Sequence, residues 1–178
     1  MIGPFITRIV GTKLINPDSQ KLKNSGPAIY VTNHTSALDI FISMAICPYG
    51  GCGVGKKEVV KIPFFGWAYW LSGHLVIDRG NREKAVASMN QLSKFVNDKK
   101  LSIWIWPEGT RSMDGKLIPF KKGFVHLALA TGLPIVPVVL HGAHKRWPAK
   151  TMQFYPGEVK VEVLDPIDTK EWNKDGIE

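Results

Sequence analysis

A histidine and an aspartate five positions apart, His34 and Asp39, stand in the stretch Val31-Thr32-Asn33-His34-Thr35-Ser36-Ala37-Leu38-Asp39. An apolar run, Ala28 to Val31, leads into it, and a second, Ile40 to Ile46, leads out. The first reads as a short strand and the second as a buried helix. A strand-to-helix connection at the carboxyl end of a strand is a common seat of reactive groups. A carboxylate near an imidazole can hold its Nδ1–H, which leaves Nε2 as a base and stabilises the imidazolium that forms. Alone, the pair has a plainer reading, a capping or core histidine. Its weight comes from residues further along the chain.

The elements that must position it alternate. After a loop from Asn16 to Pro27 come the strand and helix around His34, a turn at Cys47 to Gly51, and a short segment, Cys52 to Lys56, that reads as a strand. Helical character begins at Glu58 to Lys61 and is interrupted by Pro63. Phe64, Trp67, Trp70 and Leu71 share a face at helical spacing. That face either fills the core or forms an apolar surface for lipid. His74 to Ile77 reads as a strand, and Asn81 caps a helix with the stripe Ala85, Met89, Leu92 and Val96 to about Asp98. Leu101 to Trp106 is a strand, Phe120 to Thr131 a helix closed by Gly132, Ile135 to Leu140 a strand, and Glu158 to Leu164 a strand. Pro137 argues for an edge or a bulge in its strand.

This alternation predicts an α/β fold: one domain, with a mostly parallel twisted sheet flanked by helices. Its parts are a lead-in over 1–26, a catalytic core over 27–165 and a polar tail over 166–178. Three polar connections follow strands, at His34, at Asp78-Arg79-Gly80 and at Glu108-Gly109-Thr110-Arg111. In a parallel sheet they open on one edge and meet in one cleft. A base, an arginine and a loop with spare donors suit a phosphorylated acceptor.

Composition bounds the partners. The chain has 178 residues, is 44% hydrophobic and 21% charged, and carries a formal net charge of +8. A basic balance favours anionic partners or simply a solvated basic face. The two cysteines, Cys47 and Cys52, make no secreted disulfide framework and point to a reducing compartment. No apolar run reaches the ~18 residues of a membrane span, so a membrane would be met from its surface. Gly50 to Lys57 spells most of a phosphate-binding loop, but Lys57 stands where a Ser or Thr must hold Mg²⁺. His141 and His144 lack third and fourth ligands at metal spacing, so no metal site is expected. A Gly-x-Ser-x-Gly elbow is absent, and the basic residues follow no nucleic-acid module.

Four blocks in order then resemble a known family. They are Asn33-His34-x-Ser36-x-x-Asp39, Ile77-Asp78-Arg79-Gly80, Pro107-Glu108-Gly109-Thr110-Arg111-Ser112, and Gly132-Leu133-Pro134-Ile135-Val136-Pro137-Val138. Flanking segments at Lys61 to Gly66 and Phe120 to Gly123 extend the likeness over most of the chain. The pattern is similar to that of the glycerolipid acyltransferases, and most similar to the 1-acylglycerol-3-phosphate acyltransferases (the PlsC-like group). The resemblance implies a glycerol-3-phosphate acyltransferase-like fold and acyl transfer to the free hydroxyl of lysophosphatidic acid. The donor would be a thioester of coenzyme A or of acyl carrier protein, with no resident cofactor.

By matching position, His34 would be the general base and Asp39 its orienting carboxylate. Arg79, Glu108, Gly109, Thr110 and Arg111 would bind the acceptor, with the two arginines on its phosphate. Lys61 and Lys121 would be further phosphate contacts, and backbone N–H groups near the third block would hold the oxyanion. Thr35 and Trp106 stand where the family often has Gln and Phe, and neither is expected to touch a catalytic group. Many relatives also carry an apolar anchoring segment at the N-terminus that this chain largely lacks. Attachment at the cytoplasmic face of an anionic membrane would then rest on basic charge and the Phe64 to Leu71 stretch. Two other readings share these residues: the same chemistry on another lysolipid or on glycerol-3-phosphate, and a catalytically silent lipid-binding protein.

Overall fold

The computed structural model describes residues 2–15, 18–48, 50–61, 63, 65–71, 73–77 and 82–173. Seven strands form one sheet: β1 (Thr12–Ile15), β2 (Ile29–Thr32), β3 (Gly51–Lys56), β4 (Leu75–Ile77), β5 (Ser102–Ile105), β6 (Ile135–His141) and β7 (Gly157–Val163). Their spatial order is β1-β7-β6-β2-β5-β3-β4. Every neighbouring pair is parallel except β6 and β7. The expected single-domain α/β architecture is therefore present. β2 and β5 lie in the interior and are buried along their whole length, as apolar strands covered on both faces should be.

The helices among the described residues are α1 (Ile2–Ile9), α2 (Ser19–Asn24), α3 (Leu38–Ile46), α4 (Phe65–Leu71), α5 (Arg82–Lys99), α6 (Gly123–Thr131) and α7 (Ala143–Arg146), with a 3₁₀ turn at Lys57–Lys61. Strand alternation divides the core between the two faces of the sheet. Tyr30, Trp104, Val136 and Val138 pack with Leu38 and Ile42 of α3. Ile29, Val31, Ile103 and Ile135 pack with Leu92 and Val96 of α5 and Leu127 and Ala128 of α6. The expected stripe of α5 is thus buried at Leu92 and Val96. The side chains of its other two members, Ala85 and Met89, and the expected cap Asn81 lie outside what is described.

Several local expectations need correction. The loop expected over 16–27 contains α2, a helix of six residues anchored by buried Leu22; one apolar residue is too few to show a period. The lead-in holds both α1 and β1, and β1 gains its identity only by pairing with β7 at the sheet edge. The helix expected from Phe120 starts at Gly123, because Lys121 N–H donates to Pro107 O at 2.9 Å and holds the preceding residues extended. The tail is not free at its start. Ile167 exchanges two backbone hydrogen bonds with Ile135, and buried Thr169 donates to Leu133 O.

Pro137 is the clearest reversal. Its strand β6 lies inside the sheet, between β7 and β2. The missing N–H is tolerated because it falls where the β6–β7 ladder ends; there Pro137 only accepts, from Leu164 N–H at 3.0 Å.

α1 sits close on α3 because residue 3 has no side chain. A Cβ on Gly3 would come 2.5 Å from Phe41 O and 2.7 Å from Ala45 N. Gly3→Val should therefore push the helices apart and lower stability by about 1–3 kcal/mol, read as a drop of several degrees in thermal melting. An unchanged melting curve would mean that α1 contributes little to the folded domain.

Candidate active site

The carboxyl ends of β2, β5, β3, β4 and β6 face one edge of the sheet, so the described loops that follow β2, β5, β3 and β6 gather there. At that edge the His34 loop turns directly into α3. Asp39 lies in the first turn of α3, where the helix dipole favours a negative charge. One oxygen of this fully buried carboxylate, Oδ2, accepts Thr35 N–H at 2.7 Å and Ser36 N–H at 2.8 Å. The same oxygen lies 3.0 Å from His34 Nδ1. The carboxylate thus clamps the loop and orients the imidazole in one arrangement, putting the proton on Nδ1 and the free lone pair on Nε2.

The loop is held from three further sides. Asn33 makes a paired contact with the Leu140 backbone, accepting its N–H at 2.8 Å and donating to its O at 3.1 Å. Ser36 Oγ donates to Trp147 O at 2.6 Å. His34 O accepts Ser112 N–H at 2.8 Å. Trp106 stacks on the imidazole with ring centroids 5.0 Å apart. The expectation that Thr35 and Trp106 stay clear of the catalytic groups is therefore wrong: one reaches Asp39 through its backbone, the other covers His34 with its ring.

Glu108 has a different place from the one expected. It is 1% exposed, and its carboxylate accepts His34 N–H at 2.7 Å and Ile118 N–H at 3.4 Å. Burial pushes its pKa up, against the opposing pull of these two donors. The side chain is turned to the backbone rather than to the cleft, so it positions the histidine loop. Gly109 follows it with φ +71°, a left-handed turn that only glycine adopts without strain. Thr110 and Arg111 are exposed beyond that turn, and Ser112 ties the same loop to His34.

The cations are spread along the same edge. Lys121 is exposed, with its backbone fixed at Pro107. Lys61 is exposed at the end of the 3₁₀ turn that follows β3. Asp78, Arg79 and Gly80 lie outside the described residues. The structure thus joins His34, Asp39 and Glu108 by hydrogen bonds; Gly109 shares the cavity wall with His34, and Arg111 precedes Ser112, which bonds His34 O.

A cavity of about 380 Å³ is lined by His34 and Gly109 together with residues of α3, β3, β5 and α4. Its walls are mainly apolar, with Ile40, Met44, Val59, Trp104 and Trp106 among them. Gly51, Gly53 and Gly55, alternate residues of β3, line it too. This explains the glycine-rich stretch that spelled most of a phosphate loop: it is a strand whose bare face admits Tyr69 and His74. Tyr69 Oη donates to Gly53 O at 3.1 Å, and His74 Nδ1 accepts Gly53 N–H at 2.9 Å. Cys47 also lines it, and burial pushes its thiol up to about 12 and that of Cys52 to about 11. Neither is a thiolate at neutral pH; of the two imidazoles that line the cavity, His74 spends its Nδ1 on Gly53 N–H, and His34 is the one held by a carboxylate.

The chain matches a family described as Acyltransferase over residues 15–141. It is 43% identical over its whole length to a 1-acyl-sn-glycerol-3-phosphate acyltransferase of Limnanthes douglasii, of which it spans 63%. It is 39% identical over 170 residues to the protein of the same name from Haemophilus influenzae, covering 95% of this chain and 70% of that one. Its fold superposes with a TM-score of 0.80 on the crystal structure of the 1-acyl-sn-glycerophosphate acyltransferase PlsC from Thermotoga maritima. That match is at 25% identity and covers 98% of this chain and 69% of that one.

Proposed function

Because this chain belongs to the acyltransferase family, we propose that it transfers a fatty acyl group from a thioester to the free hydroxyl of lysophosphatidic acid, forming phosphatidic acid. The observation that carries this reading is the His34–Asp39 pair, with His34 in the wall of a mainly apolar cavity. An alcohol is a poor nucleophile at neutral pH, and a positioned base contributes about 10²–10⁴-fold. His34 Nε2 takes the hydroxyl proton as the oxygen attacks the thioester carbonyl. Asp39 stabilises the imidazolium. The tetrahedral oxyanion collapses with cleavage of the C–S bond, and the imidazolium returns the proton to the departing thiolate. The products are an ester and a free thiol.

The acyl chain lies in the cavity, where a long hydrocarbon leaves water. Gly109 N–H and Ser112 N–H are engaged at Trp106 O and His34 O, so the oxyanion donors of this loop are the N–H groups of Thr110 and Arg111. The donor is a thioester of coenzyme A or of acyl carrier protein. Among the described residues no helix is long and apolar enough to cross a membrane. The proposed site of work is the cytoplasmic face of an anionic membrane, met peripherally with the help of the +8 charge. Of the aromatic stretch assigned to this task, Trp67 and Leu71 are strongly exposed, while Phe64 lies outside the described residues.

The decisive experiment measures thiol release from palmitoyl-coenzyme A with lysophosphatidic acid, a neutral-headgroup lysolipid and glycerol-3-phosphate as acceptors. Turnover should be fastest on lysophosphatidic acid. Binding of lysolipid without turnover on any acceptor would support the silent lipid-binding reading instead.

Arg111 separates headgroup recognition from chemistry. A guanidinium fork suits a phosphate dianion, so Arg111→Ala should raise KM for lysophosphatidic acid about tenfold or more and change kcat little. An equal loss on an acceptor without phosphate would remove Arg111 from the phosphate site.

A further inference from the structure

We propose that Trp106 is the electrostatic partner of the base: its indole face stabilises His34 while the imidazole carries the proton taken from the acceptor. This rests on the reading of His34 as the base and adds a group to it. The two rings have centroids 5.0 Å apart at an interplanar angle of 30°, so the imidazole is stacked on the indole face. A cation within ~6 Å of a tryptophan ring is attracted by the ring's quadrupole, and more strongly where water is excluded. The side chain of His34 is only 13% exposed. Fully buried Asp39 holds its Nδ1 edge. The indole thus covers a face, the carboxylate takes one edge, and Nε2 is left for the acceptor.

Tryptophan is an expensive residue for this place. Among the described residues, its Nε1 is buried without a hydrogen-bond partner, whereas a buried indole N–H ordinarily finds one. Phenylalanine would supply a flat apolar ring without that unpaired donor. It would not supply the indole face, the best aromatic surface for a cation. The ring is also fixed from its own backbone. Trp106 directly follows β5, and its carbonyl accepts Gly109 N–H at 3.1 Å.

The timing follows from the reaction. While the base is neutral, the rings share only the contact of two flat surfaces. As the new C–O bond forms, the hydroxyl proton moves to Nε2 and the imidazole becomes a cation. It stays one until the departing thiolate takes the proton back as the C–S bond breaks. The attraction therefore appears with the charge. An interaction stronger in the transition state than in the ground state raises kcat rather than lowering KM.

The test places mono-, di- and tetrafluorotryptophan at position 106 of the whole chain by stop-codon suppression. Fluorine drains negative potential from the ring face with little change of shape. Because the N–H has no partner, the substitution acts through the face. On lysophosphatidic acid with palmitoyl-coenzyme A, kcat should fall stepwise with added fluorine, reaching about tenfold with the tetrafluoro ring. KM and the melting temperature should stay close to the parent. Trp106→Phe should lower kcat about threefold and leave the melting temperature level or higher, since the unpaired donor is gone. A ring that served packing alone would not separate rate from stability in this way.

A flat kcat across the fluorinated series overturns the proposal, as does a Trp106→Phe variant that turns over like the parent. If the series is flat while His34→Ala is inactive, the base stands and only the role of Trp106 falls. If His34→Ala keeps most of the rate, or the parent turns over no acceptor, both fall.

Discussion

His34→Ala should lower kcat about 10²–10⁴-fold and leave the fold in place. The backbone of residue 34 is held independently of its ring, through its N–H on Glu108 and its carbonyl on Ser112. Asp39 keeps two backbone donors when the imidazole is gone. Truncation therefore removes the base and the stacking on Trp106, the latter worth only about 0.5–1.5 kcal/mol. Asp39→Asn is the informative companion. Its amide oxygen can stand where Oδ2 does and still accept from Thr35, Ser36 and His34 Nδ1, but it brings no negative charge to stabilise the imidazolium, and its NH₂ falls where the buried Oδ1 has no partner. The loss should approach that of His34→Ala. Kinetics on lysophosphatidic acid, with a thermal melt of each variant, check both. Retention of most of the rate in His34→Ala would assign the proton transfer to another group.

Glu108→Ala should be the other severe substitution, by a different route. It orphans the His34 N–H inside the protein, which costs about 1–3 kcal/mol, a fall of several degrees in melting temperature for a domain of this size. It also frees the loop that aims the imidazole. The expected signature is a fall in kcat of at least tenfold on every acceptor, a small change in KM, and a lower melting temperature. Glu108→Gln should recover much of both. Its amide oxygen can still accept His34 N–H, and it carries no charge into a site where burial already disfavours the ionised carboxyl. A raised KM confined to phosphorylated acceptors, with unchanged melting, would return Glu108 to the substrate contacts that the motif had implied.

The contrast between these two residues shows what kind of information a sequence holds. His34 and Asp39 meet within one loop and the first turn of the helix it feeds, so their spacing alone brings a carboxylate to an imidazole. Glu108 meets the same loop across 74 residues, and nothing near it in the chain says whether its carboxylate faces a substrate or a backbone N–H. Trp106 belongs to the same class: its strand was legible, but the ring it covers lies in the loop after β2.

The fold divides in the same way. Apolar strands and amphipathic α5 were readable because burial imposes a period on contiguous residues. The four motif blocks in order were enough to identify the family and the chemistry it implies. By contrast, α2 owes its place to a single buried leucine, β1 to a partner near the far end of the chain, and Pro137 to the point where one ladder stops. The glycines of β3 read as a broken nucleotide loop until the sheet set their bare face against α3 and α4 as a cavity wall. Sequence thus settled which groups can react, since that is local chemistry. Tertiary structure decided which of them face the cleft and which hold it in shape, because burial and backbone partners are properties of distant segments brought together.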